Sequence, residues 1–149
     1  YEIKKINFSN YSALLLYGKN EGLKSQIIAE LVKNKQISSN YEEKEILDKP
    51  EIFFENLLNK SLFETEKIII IKRSTDKIFS VLSKALDKNP KDVKIIIDAD
   101  ILEKKSKLRA FFEKDKKSIC IPVYPDNNEN YLKLLIVEEN KDLDPRHQF

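Results

Sequence analysis

The chain has 149 residues, of which 41 % are hydrophobic and 35 % charged, and its 27 basic and 25 acidic side chains leave a formal net charge of +2. This composition predicts one domain with an ordinary core and excludes a strongly basic nucleic-acid coat or an acidic tail protein. One Cys and one His exclude a disulfide framework and a zinc cluster, and the apolar runs are far shorter than the roughly 20 residues that cross a bilayer.

The first half of the chain alternates between apolar runs and segments of helical spacing. Residues 12–17 predict a buried strand, which Gly18 ends. Residues 20–34 place apolar side chains at helical intervals and predict a helix. Residues 39–47 are mostly polar and predict a weaker strand at the edge of a sheet. Pro50 opens the next helix, at a position where a missing N–H has no cost.

The second half continues the alternation. The β-branched run 67–71 predicts a fully buried strand, and 76–88 predicts a helix that ends before Asn89-Pro90. Residues 93–98 predict a strand, 103–114 a helix, and 118–123 the last strand. Strands that alternate with helices indicate right-handed crossovers and a parallel sheet.

We therefore predict a three-layer α/β/α sandwich with a five-stranded parallel sheet over residues 1–125. Residues 126–149 lack a sustained period and predict a frayed or partner-dependent tail. The tail carries His147, which has no nucleophile near it in the sequence, so catalytic-triad chemistry has no support. Cys120 lies on a predicted strand, where we expect it to be a small buried apolar residue.

The first candidate site is the turn after the first strand, where α/β folds often bind ligands. A phosphate-binding loop has the pattern G-x-x-x-x-G-K-[ST]. Gly18, Lys24 and Ser25 are in register with this pattern, whereas Gly22 is one place early and Leu23 stands where the second glycine belongs.

Two side chains argue against phosphate binding at this loop. Leu23 intrudes where backbone N–H groups would have to close on phosphate oxygens, and it is better explained as the first core residue of the helix. Glu21 places a negative charge in the loop, which opposes an anion. The sequence therefore predicts a degenerate phosphate loop that does not bind phosphate.

The second candidate is the acidic end of the strand 93–98. Asp98 resembles the magnesium-site acid of nucleotide hydrolases, but Ala99 stands where a glutamate would orient water. Asp98 and Asp100 are equally explained as turn or cap residues. We expect no metal site here.

The third candidate is the segment Ser61, Leu62 and Phe63, which lies between a helix and the strand 67–71. Leu62 and Phe63 have polar neighbours in the sequence and fit neither a helical nor a strand period. Such a pair can fill an apolar pocket of a partner protein, or it can seal the edge of the sheet. Spacing alone leaves both interpretations open.

The fourth candidate is the lysine-rich segment 104–117, within which a possible DNA-facing basic patch consists of Lys104, Lys105, Lys107 and Arg109. The abundance of Ile, Lys and Asn indicates an A/T-rich, bacterial genome, which weakens lysine content as evidence of binding. A solvated helix face explains the same residues.

Taken together, these features resemble the delta subunit of the clamp loader of bacterial DNA polymerase III. The resemblance covers about residues 11–125 and is carried by the runs 14–21, 61–64 with 67–72, 93–97 with 102–108, and 121–125. It implies an AAA+-like domain with a degenerate nucleotide site, no cofactor, no metal and no catalysis of its own, within the polymerase III holoenzyme. The alternative from another class is an active P-loop NTPase or nucleotide kinase.

The resemblance also implies partners and a contact site. The delta subunit binds and opens the sliding clamp (the beta subunit), and its Leu-Phe pair, here Leu62 and Phe63 after Ser61, enters an apolar pocket on the clamp. The related clamp-binding pattern has Gln three residues before the Ser, where this chain has Leu58. Other loader subunits are implied if the missing C-terminal domains are present, with indirect DNA contact, no membrane and a cytoplasmic location. Residues 126–149 are then a tail or the start of a missing helical domain.

Overall fold

The computed structural model describes residues 11–33, 35–37, 39–59, 66–88, 90 and 92–123. Its strands are β1 Ala13–Tyr17, β2 Ser39–Glu42, β3 Lys67–Ser74, β4 Val93–Ala99 and β5 Ser118–Pro122. Its helices are α1 Glu21–Leu31, α2 Glu43–Asp48, α3 Pro50–Leu58, α4 Phe79–Asp87 and α5 Lys107–Lys114, with a 3-10 turn at Asp76–Ile78. Within these residues, no helix is long and apolar enough to span a membrane.

The five strands form one parallel sheet in the order β2-β3-β4-β1-β5. The predicted parallel sheet is confirmed, and the weakest predicted strand, β2, does lie at its edge. At the carboxyl end of the sheet, Leu16 of β1 pairs with Asp98 of β4, and Tyr17 pairs with Ala99. This register brings the turn after β1 beside the acidic end of β4.

Helices cover both faces of the sheet, which explains why the central strands are apolar on both sides. On one face, α1 buries Ile27 and Ile28 against Leu14 and Leu16. On the opposite face, α2, α3, α4 and α5 contribute the second core cluster with residues such as Phe112. The described residues therefore form the predicted three layers.

The segment 39–47 differs from its prediction as a single strand. The strand ends at Glu42, and α2 begins at Glu43. The reason is a reciprocal cap: the side chain of Glu42 accepts from the backbone of Glu45, and the Glu45 side chain accepts from the backbone N–H of Glu42 at 2.9 Å. The sequence does not predict this boundary, because the polar residues of the segment have no clear period.

The predicted helix 103–114 begins later than expected, at Lys107. The Ser106 hydroxyl caps it by accepting from the N–H of Arg109 at 3.1 Å. Asp76 adds a cap from outside the helix, because its carboxylate accepts from the Lys107 and Leu108 N–H groups at 3.1 and 3.2 Å. These contacts satisfy backbone donors that have no partner within the helix.

Candidate functional site

The turn between β1 and α1 is shaped by a close backbone approach. Gly18 has a φ of 132°, and a Cβ atom on it would lie 1.8 Å from the carbonyl oxygen of Val123. The N–H of Val123 donates to Tyr17 O at 2.7 Å, and the N–H of Gly18 donates to Asp100 O at 3.1 Å. The close approach of the Val123 backbone therefore requires a glycine at position 18, whether or not a ligand binds.

The rest of the loop forms the start of α1. Asn20 caps the helix by accepting from the N–H of Leu23 at 3.1 Å. Gly22 needs no special conformation, since a Cβ atom there would meet only Asn20 Oδ1 at 3.9 Å. Ser25 is exposed. The two glycines of the loop thus have different local requirements, and only Gly18 cannot carry a side chain.

Lys24 is fully buried, and its ammonium group points into a cluster of the chain's own oxygens. Its Nζ lies 2.7 Å from Glu21 Oε1, 2.9 Å from Asp98 Oδ1 and 2.7 Å from the carbonyl oxygen of Ala99. An ammonium group has three N–H donors, so these three oxygens use all of them. Burial disfavours the charged form, but the hydrogen bonds with Glu21 and Asp98 outweigh it and raise the pKa of Lys24.

Asp98 is the second buried charge of this cluster, with 7 % of its surface exposed. Burial raises the pKa of its carboxyl group, and the hydrogen bond and charge of Lys24 oppose that rise. Asp100, next along the chain, is exposed and accepts from the N–H of Ile101 at 2.9 Å. Asp98 thus serves as a buried ion-pair partner and Asp100 as a turn residue. Within the described residues no cluster of metal-ligating side chains occurs.

Lys24 and Asp98 are both evident in the sequence, but the contact between their side chains is not. The signal available was a lysine in the first turns of the helix after one strand and an acid at the carboxyl end of another. Whether they meet depends on β4 lying directly beside β1, which the strand order decides.

Ser61, Leu62 and Phe63 lie outside the described residues, and so does His147. The described flanks are the end of α3, where Leu58 is 55 % exposed, and the start of β3 at Lys67, which is buried. Whether the Leu-Phe pair is an anchor or an edge seal stays a prediction.

The basic patch predicted on 104–109 is not uniform. Lys104, Lys105 and Lys107 are exposed, and Lys105 lies 3.8 Å from Glu103. Arg109 is instead engaged by the protein itself.

The Arg109 guanidinium stacks 5.1 Å from the centroid of the Tyr17 ring, donates to Leu102 O at 3.2 Å and lies 3.3 Å from Glu113. These contacts give Arg109 a structural role. Cys120, expected to be buried, is only half-buried because β5 is an edge strand.

Three solved structures share this fold at low sequence identity. The Bacillus subtilis DNA clamp loader delta protein superposes with a TM-score of 0.60 at 12 % identity, covering 89 % of this chain and 44 % of that one. A DNA polymerase III gamma subunit-related protein from Thermotoga maritima gives 0.52 at 13 %, covering 92 % and 47 %. A structure of katanin gives 0.50 at 18 %, covering 76 % and 41 %.

Comparisons of sequence alone add nothing further: no family model matches the chain and no curated protein does. The chain spans less than half the length of each of the three similar structures. At these identities the likeness establishes the fold. The described residues therefore share one α/β fold with parts of these three proteins.

Proposed function

We propose that the chain is the AAA+-like domain of a delta-type clamp-loader subunit, which binds and opens the sliding clamp in DNA replication and hydrolyses no ATP itself. The observation that carries the proposal is the Lys24 cluster, in a fold shared with clamp-loader proteins. Under this proposal the chain binds and opens the clamp, and other subunits bind and hydrolyse the nucleotide.

The Lys24 cluster supports the absence of nucleotide binding. A lysine at this position of a phosphate loop acts by donating to phosphate oxygens. Here its donors are used by Glu21, Asp98 and Ala99. A polyphosphate would have to displace these partners and approach two carboxylates. Neither step is favoured, which argues against the alternative of an active P-loop NTPase or nucleotide kinase.

The proposed clamp contact is Ser61, Leu62 and Phe63. Support comes from the resemblance of this segment to the delta family and from its place between α3 and β3, where exposed Leu58 ends the helix. An apolar anchor pair of this kind supplies most of the binding energy of a small interface.

The remaining partners follow from the same proposal. Other loader subunits would bind through domains beyond residue 125, DNA contact would be indirect, and the complex would act in the bacterial cytoplasm. Lys104, Lys105 and Lys107 are exposed and available to a polyanion, whereas Arg109 is held by Tyr17 and its neighbours.

Titration of the chain against a bacterial sliding clamp tests the proposal. We expect a dissociation constant of about micromolar or tighter, which corresponds to about −8 kcal/mol. The control is Ile101→Ala, which removes an exposed apolar side chain outside the proposed Ser61, Leu62 and Phe63 contact. The control should bind like the wild type. An absence of binding, or measurable ATP turnover by the purified chain, would favour the alternative.

A further inference from the structure

Lys67 is a buried lysine at the start of β3, with 4 % of its surface exposed. Its backbone N–H donates to Asp92 O at 2.8 Å, which fixes the strand end. Its side chain crosses to the end of α3, where Nζ donates to the carbonyl oxygens of Asn56, at 2.5 Å, and Asn59. The last carbonyls of a helix have no partner within the helix, so a lysine there both satisfies them and complements the helix dipole.

The end of α3 is held from a second direction. The side-chain amide of Asn56 donates to Ser39 Oγ at 2.9 Å and to Tyr41 Oη at 2.5 Å, both on β2. Because Lys67 Nζ also lies 3.5 Å from Asn56 Oδ1, one polar network joins β2, α3 and β3. The helix end therefore cannot move without breaking contacts to two strands.

These contacts join the two ends of one chain segment. Asn59 and Lys67 flank residues 60–66, and the lysine side chain bridges them directly. Glu66 adds a weaker tie, with its carboxylate 3.4 Å from Lys35 Nζ. In general, holding two positions of a chain close together lowers the conformational entropy that the residues between them lose on binding, and such preorganisation raises affinity.

We propose that Lys67 is a positioning residue for clamp binding: it ties the end of α3 to the start of β3 and so holds both flanks of the segment that carries Leu62 and Phe63. This inference rests on the proposed function and adds a residue that does not itself touch the clamp. A lysine that only stabilised the fold would leave the clamp affinity of the folded protein unchanged.

The test uses the full chain with Lys67→Met, which keeps an unbranched stem but has no donors. The matched control is Lys94→Met on the neighbouring strand, since Lys94 Nζ also donates to a backbone carbonyl, that of Tyr11, away from α3. Clamp affinity is measured by titration and corrected for the folded fraction from urea unfolding. We expect Lys67→Met to weaken binding about tenfold, the scale of a lost charged hydrogen bond. Lys94→Met should change affinity less than twofold.

A second comparison separates positioning from general destabilisation. Lys67→Arg retains donors and should recover part of the affinity. In a Leu62→Ala background, Lys67→Met should cost much less, because both changes act on one contact. Amide hydrogen exchange of the free chain should rise at residues 57–59 and 66–68 in Lys67→Met and not in Lys94→Met.

The outcomes distinguish the two proposals. If the wild type does not bind the clamp, the proposed function fails and this inference fails with it. If the wild type binds and Lys67→Met weakens binding no more than Lys94→Met, the inference alone is overturned. Should Lys67→Met fail to fold, Lys67→Gln, which is neutral and too short to reach Asn59, replaces it with the same expectations.

Discussion

The ammonium group of Lys24 on α1 lies 2.9 Å from the carboxylate of Asp98 at the end of β4, and both side chains are removed from water. This ion pair stands in the turn where a phosphate loop would hold its ligand. A buried charge is stable only when it is paired and hydrogen-bonded. The chain's own oxygens supply what a phosphate group would otherwise supply to the lysine.

The first prediction concerns the stability of this pair. Lys24→Met leaves the buried Asp98 without its cation and should lower the free energy of unfolding by about 3–5 kcal/mol. The double variant Lys24→Met with Asp98→Leu should recover most of that loss, since apolar replacements of a buried pair are often neutral. Urea denaturation measures both.

Lys35→Met is the control for the first prediction, because Lys35 forms a partly exposed pair with Glu66 at 3.4 Å. Its loss should be below about 1 kcal/mol. Equal losses of unfolding free energy for Lys24→Met and Lys35→Met would show that the buried cluster stabilises the fold no more than a partly exposed ion pair.

The second prediction concerns nucleotide. Because the donors of Lys24 are used within the protein, millimolar Mg-ATP should leave the melting temperature unchanged. A ligand present at 100 times its dissociation constant would stabilise by about 2.7 kcal/mol, a shift that thermal unfolding detects easily. Magnesium phosphate at the same ionic strength is the control. A clear rise with ATP alone would mean that the cluster opens to admit the nucleotide.

The third prediction contrasts the two glycines. Gly18→Ala should be severely destabilising, because its Cβ would collide with Val123 O at a φ of 132°. Gly22→Ala lies in α1 with open space around its Cβ and should stabilise the chain by up to about 1 kcal/mol. Thermal and urea unfolding measure the stability of both variants. A Gly18→Ala variant as stable as the wild type would contradict the close approach of the Val123 backbone to Gly18.

The fourth prediction concerns acid. Burial acts to raise the pKa of Asp76, but hydrogen bonds from Ser106, Leu108 and Lys107 outweigh it and lower that pKa below its ordinary 3.8. A carboxyl group with a lowered pKa in the folded state stabilises the fold above its unfolded pKa and loses that contribution as the pH falls through its folded pKa. Asp76→Asn should therefore cost about 1 kcal/mol at neutral pH, the scale of a helix cap.

The pH dependence is the sharper half of the fourth prediction. The difference in unfolding free energy between wild type and Asp76→Asn should be constant above about pH 5 and should shrink below pH 4. Asp87→Asn, on the neighbouring helix α4, serves as the comparison. A difference that grows on acidification would reverse the sign of the assigned shift.

The parts of this structure that could be predicted from the sequence are those that depend on local pattern. Apolar runs such as 67–71 predict four of the strands, and Asn20 predicts the start of α1. Strand order is a property of the whole chain, so the meeting of Lys24 and Asp98 could not be read from either segment. Charge alone groups Arg109 with the neighbouring lysines, and only the packing of α5 beside β1 reveals its contact with Tyr17.

The fifth prediction concerns Leu62 and Phe63 themselves. If they are pocket anchors, changing either to Ala should weaken clamp binding by about 2 kcal/mol or more, roughly 30-fold, and should leave the unfolding free energy nearly unchanged. Glu64→Ala, beside the pair, is the control and should have a small, salt-dependent effect.

The most direct test of the account is therefore one pair of variants, Leu62→Ala and Phe63→Ala, measured by clamp titration and by urea unfolding. We predict a large loss of affinity with stability retained. If the pair instead seals the sheet, the same changes should cost about 2–5 kcal/mol of folding stability, as emptied core sites do. Loss of stability with affinity intact, after correction for the unfolded fraction, would contradict the account.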